Sequence, residues 1–225
     1  MTNAMLLNDE WATFLVDLPV DWLWFSIDGA FPETNDRFRK GSRLTVIEKN
    51  ILNLIEKRER KGNGRPLLSF NMVAYPEIED REIEIYVRRW LPYAVVVSIS
   101  RFRPLGSRRL LSPEERTWIK PRPCPLLYRQ MVIAWDGTVG LCCEDIHVEV
   151  PLGQIGGKTL LEIFNGKEAR QARRYHESGR AKDLSLCREC DVWAADIVLK
   201  EEILRIEDLS VRKIYRPAGV LYEKL

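Results

Sequence analysis

The sequence has almost no surplus of either charge. Thirty-five Lys and Arg stand against 33 Asp and Glu, a formal net charge of +2 over 225 residues, so no global field draws the chain toward nucleic acid or an anionic membrane. No stretch approaches the roughly 20 apolar residues that a membrane span needs. The opening MTNAMLLNDEWATF lacks the basic segment followed by an unbroken apolar run that marks a leader. These absences lead us to expect a soluble, cytoplasmic protein with neither a nucleic-acid nor a membrane partner. Histidine is scarce, at two residues, and neither His147 nor His176 lies in a motif, so a surface or structural role is expected of both. Cysteine is scarce as well: five residues, an odd number, none before Cys124. Without a secretion signal, that count argues against a disulfide framework and for metal ligands or reactive thiols.

What the sequence has is length and apolar content, 45% hydrophobic over 225 residues, enough for one large or two smaller domains. DEWATFLVDL spaces its apolar residues as a helix, and WLWFSI after it reads as a strand closed by Asp28-Gly29. TVIEKNILNLIEKRERKG and PLLSFNMVAY form a second such pair, EDREIEIYVRRWL and AVVVSIS a third. Helix and strand alternating in units of about 30 residues predict an α/β fold with parallel strands. After Ser100 the texture turns to Arg and Pro in RFRPLGSRRLLSPEERTWIKPRPCP, a loop and linker. Arg101 or Arg103, after the end of a strand, could meet an acidic or peptidic substrate, although such runs are more often solvated loops. Beyond the linker we expect a hairpin (131–134 and 138–142, turning at Asp136-Gly137), a helix over 159–176, a C-x2-C knuckle at Cys187 and Cys190, and a charged helical tail.

Cys124 and Cys142 are joined by the hairpin, and Cys187 and Cys190 by the knuckle. Four thiolates at one site suit a zinc ion or a 4Fe-4S cluster, and ligand type alone does not separate them. A single short knuckle is fewer than zinc ribbons use. The alternative of isolated, buried cysteines is weakened by the C-x2-C spacing. Cys143 adjoins Cys142; successive residues of a strand face opposite ways, so it is expected to stand outside the set.

Cys124, Gly137 and Cys142 in the pattern C-x12-G-x4-C, then LGQI, TLLEIF and CREC, resemble the SPASM or shortened "twitch" extension of radical S-adenosylmethionine enzymes over residues 120–195. No cysteine follows the knuckle, which resembles the one-cluster form. The resemblance implies one auxiliary 4Fe-4S cluster on Cys124, Cys142, Cys187 and Cys190. WFSIDGAFPETNDRFRKG is similar to the fourth strand and following loop of the radical-SAM barrel. Ser26, Asp28 and Arg39, with Asn71 on the next strand, would then contact the ribose and methionine parts of S-adenosylmethionine. Apart from the resemblance they read as a capping hydroxyl, a turn carboxylate and a solvated Arg.

The same resemblance implies a fold. Residues 1–115 would be the C-terminal half of a partial (β/α)6 barrel, 116–196 the SPASM/twitch domain, and 197–225 a charged tail. The C-x3-C-x2-C loop that holds the catalytic cluster of such enzymes is absent, as is the glycine-rich second strand, and MTNAM resembles the end of the third strand. No residue is therefore assigned as catalytic. S-adenosylmethionine would bind only with the missing half-barrel, which a partner chain could supply at the exposed edge of WLWFSI, and the substrate would be a peptide or small molecule. The remaining alternatives are an electron-transfer or substrate-binding module and a zinc-stabilised interaction domain.

Overall fold

A computed structural model describes all 225 residues. The first part of the chain runs α1 (Asp9–Asp17), β1 (Trp22–Ser26), α2 (Pro32–Phe38), α3 (Leu44–Lys61), β2 (Leu67–Ala74), α4 (Asp80–Trp90) and β3 (Val96–Arg101). Then come α5 (Glu115–Trp118), α6 (Leu126–Arg129), β4 (Val132–Ile133), β5 (Thr138–Gly140), β6 (Pro151–Gln154), α7 (Leu160–Phe164) and α8 (Lys167–Glu177). The last part is all strand: β7 (Lys200–Ile206), β8 (Leu209–Arg216) and β9 (Gly219–Lys224). The chain divides into two compact units, Met1–Phe102 with Val198–Leu225, and Arg103–Ile197. No helix is long and apolar enough to cross a membrane.

The first unit is a six-stranded mixed sheet in the order β1-β2-β3-β9-β8-β7. The three α/β pairs expected from the periodicity form as read, and β1, β2 and β3 are parallel. Alternation along these strands divides their residues between two faces. Leu23, Phe25, Leu68, Phe70, Met72, Val97 and Ile99 meet the apolar stripes of the helices. Ile47, Ile51, Leu54 and Ile55 come from α3, whose last turn closes on Gly62 at φ +70°, the left-handed cap that glycine adopts without strain. Trp90 of α4 stacks on Phe70 at 4.5 Å. The opposite face carries Trp22, Trp24, Ser26, Ser69, Asn71, Ser98 and Ser100, with Trp22 Nε1 donating to Ser69 Oγ at 2.8 Å.

Two expectations are corrected. The segment from 197 onward is no helical tail; it is an antiparallel meander whose last strand pairs with β3. Two-residue loops, Glu207-Asp208 and Pro217-Ala218, join its strands, a connection only a hairpin makes. Its charges lie partly within the ladder, where Arg212 and Glu223 are directly opposed and hydrogen-bonded at 3.0 Å, a favourable cross-strand pair. The edge of β1 is also not bare along its whole length. Thr2 bridges to Phe25, its N–H donating to Trp24 O at 2.8 Å and its carbonyl accepting from Ser26 N at 3.0 Å.

The junction between the parallel and antiparallel halves leaves no room at Gly219. Its φ is +138°, and a Cβ there would stand 2.0 Å from the carbonyl oxygen of Ile99. Gly219→Ala should therefore cost at least about 2 kcal/mol, by backbone strain and overpacking together, and lower the thermal midpoint by several degrees. An unchanged midpoint would show that β9 does not dock on β3 in this register.

Candidate metal centre

The second unit is built from short pieces, and each cysteine is delivered by a turn. Asp136 and Gly137 close the hairpin as read from the sequence. Gly137 adopts φ +84° and its Cβ position is filled by Ile155 at 2.7 Å, so glycine is required there on both counts. The strand stops at Gly140, two residues short of expectation, because β6 pairs with β5 through a bulge at Val139/Gly140. Cys142 and Cys143 thus lie in a turn. Asp145 organises it: its N–H donates to Cys142 O at 3.0 Å, and its buried carboxylate accepts from Glu149 N at 2.6 Å and Val150 N at 3.1 Å. The expected helix over 159–176 is two, α7 and α8, broken at Gly166 and begun by a capping box between Thr159 and Glu162.

Cys124, Cys142, Cys187 and Cys190 line one cavity of about 390 Å³, together with Leu111, Leu127, Leu186, Trp193 and His176. Cys143 is exposed and outside it. Burial pushes the thiols up: Cys142 and Cys187 to about 12 and Cys190 to about 11, with neighbouring sulfurs adding to the effect, and Cys124 in the same direction. Backbone N–H groups offset this in part, those of Leu126 and Leu127 at Cys124, Glu144 at Cys142 and Val192 at Cys190. Such N–H donors to sulfur are the dipoles that a sulfur-ligated metal centre uses. Nowhere do three Cys, His, Asp or Glu side chains come together as they would around one metal ion. Four thiols lining one cavity suit a cluster or a single metal ion by ligand type.

Three features of this centre carry no motif. The Arg-rich loop read as linker belongs to this unit and grips both cysteine segments: Arg103 binds Glu144 through both nitrogens at 3.0 and 3.1 Å, Arg108 pairs with Glu149, and Arg109 with Glu189. Arg103 is therefore committed to its own chain. Asp191, directly after the knuckle and buried, accepts from Leu110 N and from Arg116 at 2.8 Å. His176 is buried at 6% exposure and accepts the Cys124 N–H at Nδ1, 3.3 Å away; burial lowers its pKa. An acid immediately after each cysteine pair was the only available signal for the clamps, and His176 gave none.

Residues 124–191 match the family model of SPASM, described as an iron-sulfur cluster-binding domain. The chain carries a SPASM-type domain. A protein of Treponema pallidum (strain Nichols), bearing the name "Uncharacterized protein", is 32% identical over 133 residues, 54% of this chain and 34% of that protein. The matched stretch thus spans about a third of that relative's length. The match supports an iron-sulfur protein, and the four cysteines lie within or at the edge of the matched stretch.

In the first unit, Ser26, Asp28 and Arg39 are gathered at the C-terminal end of β1. Arg39 Nη2 donates to Ser26 Oγ at 2.5 Å, and its Nε lies 2.7 Å from Asp28 Oδ2, a charge contact without hydrogen-bond alignment. Asp28 Oδ1 accepts from Val73 N at 2.9 Å. Asn71 stands opposite Ser26 in the ladder and accepts from Ser100 Oγ at 2.7 Å. Tyr86, from α4, has a fully buried hydroxyl without a partner, its pKa raised well above the usual value by burial and then by the Asp28 charge.

Two outcomes are expected. Single Cys→Ala changes at 124, 142, 187 and 190 should each abolish most bound iron, whereas Cys143→Ala should leave it intact; equal loss in all five variants would refute the ligand set. Because burial holds the metal-free thiols protonated at neutral pH, loading must expel protons. Iron uptake should therefore rise with pH throughout the range below about 11, and uptake independent of pH would contradict the buried, protonated site.

Proposed function

We propose that this chain holds one auxiliary 4Fe-4S cluster on Cys124, Cys142, Cys187 and Cys190, as part of a radical-SAM/SPASM-type system. The observation that carries this reading is the ring of four cysteines, drawn from three separate segments of the SPASM-type domain, around one cavity. A cluster with four protein ligands supplies one-electron chemistry and presents no open iron. Within that arrangement the chain's own residues orient and shield: backbone N–H groups face the sulfurs, Leu127, Leu186 and Trp193 exclude water, and the Arg–Glu clamps fix the loops.

The first unit supports the other half of the proposal. Ser26, Asp28, Arg39 and Asn71 sit at the carboxyl ends of parallel strands, where α/β folds gather ligand contacts, and in this reading they serve the cofactor. β1 ends the sheet, with Thr2 covering only its last residues and Trp22 half exposed in a stack with Trp24. A strand from a partner carrying the rest of a barrel would add there, and the substrate would be a peptide or small molecule.

Anaerobic reconstitution should yield a brown protein with about four iron and four sulfide per chain, the composition of one such cluster. Stoichiometric zinc without sulfide would refute the cluster. Every paired cysteine belongs to the four-ligand set, and no C-x3-C-x2-C loop exists in the sequence. The reconstituted chain alone, reduced with dithionite and given S-adenosylmethionine, should therefore form no 5′-deoxyadenosine. Turnover would overturn the assignment of this cluster as auxiliary.

A further inference from the structure

The imidazole of His176 is held between two demands. Its Nδ1 accepts the backbone N–H of Cys124, which requires a lone pair at Nδ1. The ring is therefore neutral with its hydrogen on Nε2. That Nε2 is buried and has no hydrogen-bond partner in the protein, while the residue lines the cavity that the four cysteines surround. A buried N–H without an acceptor is destabilising and calls for an explanation. No other side chain of the cavity lining leaves a buried polar atom unpaired.

We infer that His176 donates its Nε2 hydrogen to a sulfur of the bound cluster. The inference rests on the iron-sulfur reading of the cavity. Nδ1 holds the ring against the Cys124 backbone, so one residue both positions a ligand segment and supplies a donor to the cluster. Hydrogen bonds to sulfur are among the levers that set a cluster's potential. They stabilise the more negative, reduced state, so this donor raises the potential. His176 is a tuning residue for the cluster and takes no part in bond making.

The chain has two histidines, which makes the contact directly observable. Full-length protein labelled with ¹⁵N-histidine, reconstituted and reduced, should show a weak ¹⁵N coupling to the paramagnetic cluster by pulsed electron paramagnetic resonance. The coupling should persist in His147→Gln and vanish in His176→Gln. In a redox titration, His176→Leu should lower the reduced-to-oxidised ratio at fixed potential roughly tenfold, about 59 mV for a one-electron couple. His176→Gln, which keeps an acceptor and a donor, should recover part of that shift. A loaded wild-type cluster without ¹⁵N coupling overturns the histidine assignment alone, whatever the variants do. A chain that takes up no iron and sulfide overturns both this assignment and the cluster reading.

Discussion

Four thiols must be kept out of water by a unit that has very little hydrocarbon to do it with. The largest fully buried side chains of the molecule, among them Trp90, Tyr86, Phe25, Phe70, Ile47 and Leu68, all belong to the first unit. The SPASM-type unit buries Leu110, Leu111, Ile119, Leu127, Val139, Leu141, Leu152, Ile163, Leu186, Val192 and Trp193, several of them from loops and the rest from strands of two to four residues and helices of three to eleven. Elements so short have marginal stability of their own. Bonds to a metal centre are worth on the order of 10 kcal/mol in small domains that fold around one, which is more than the whole margin of a typical fold. In the proposed reading the four cysteines are the centre from which this unit is organised, with Cys124 and Cys142 buried and Cys187 and Cys190 partly so.

The charged residues around that centre follow from the same constraint. An exposed ion pair contributes little to stability, and counting pairs would miss what these do. Glu144 follows Cys143, Glu189 lies inside the knuckle and Asp191 directly after it, and each is tied to the segment between Arg103 and Arg116. Two cysteine segments far apart in sequence are thereby fixed to one strip of chain. A cluster with four thiolate ligands would be net negative, and Arg103 and Arg108 lie close enough to Cys190 for its ionised form to raise their pKa. In the proposed reading the clamps orient the ligands and offset their charge, as outer-shell groups do around metals generally.

Which parts were legible in the sequence depends on how far apart the partners lie. The three α/β pairs were readable because helical and strand periods are local, and Gly62 marks its helix end by backbone need alone. That the four cysteines would come to one cavity was readable from C-x2-C and the Asp136-Gly137 turn. Cys143 stands apart as the spacing suggested, although by a turn rather than by strand alternation. The meander over β7 to β9 was hidden because neither Glu207-Asp208 nor Pro217-Ala218 is a strong turn signal, and because the partner that makes β9 a strand is β3, more than half the chain away. Asp145, Asp191 and His176 were hidden for a related reason. Each acts on backbone N–H groups, which have no sequence signature.

The topology explains how a weakly cored unit is tolerated. It is inserted between β3 and β7, so its two ends are continuous with strands of a sheet that has its own core. Closing a loop costs entropy that grows only slowly with length, and here the sheet bears that cost before any thiol is bound. The same logic accounts for the tight fit at Gly219. β9 pairs with β3 on one side and β8 on the other, and with φ +138° and Ile99 O where a Cβ would stand, only glycine lets the returning strand reach the parallel half. The sheet therefore has a hydrocarbon core and backbone pairing of its own, whereas in the proposed reading the SPASM-type unit depends on its ligands and clamps. Loss of the cluster should loosen the second without dissolving the first, which leaves the ends of the cysteine segments held for reassembly.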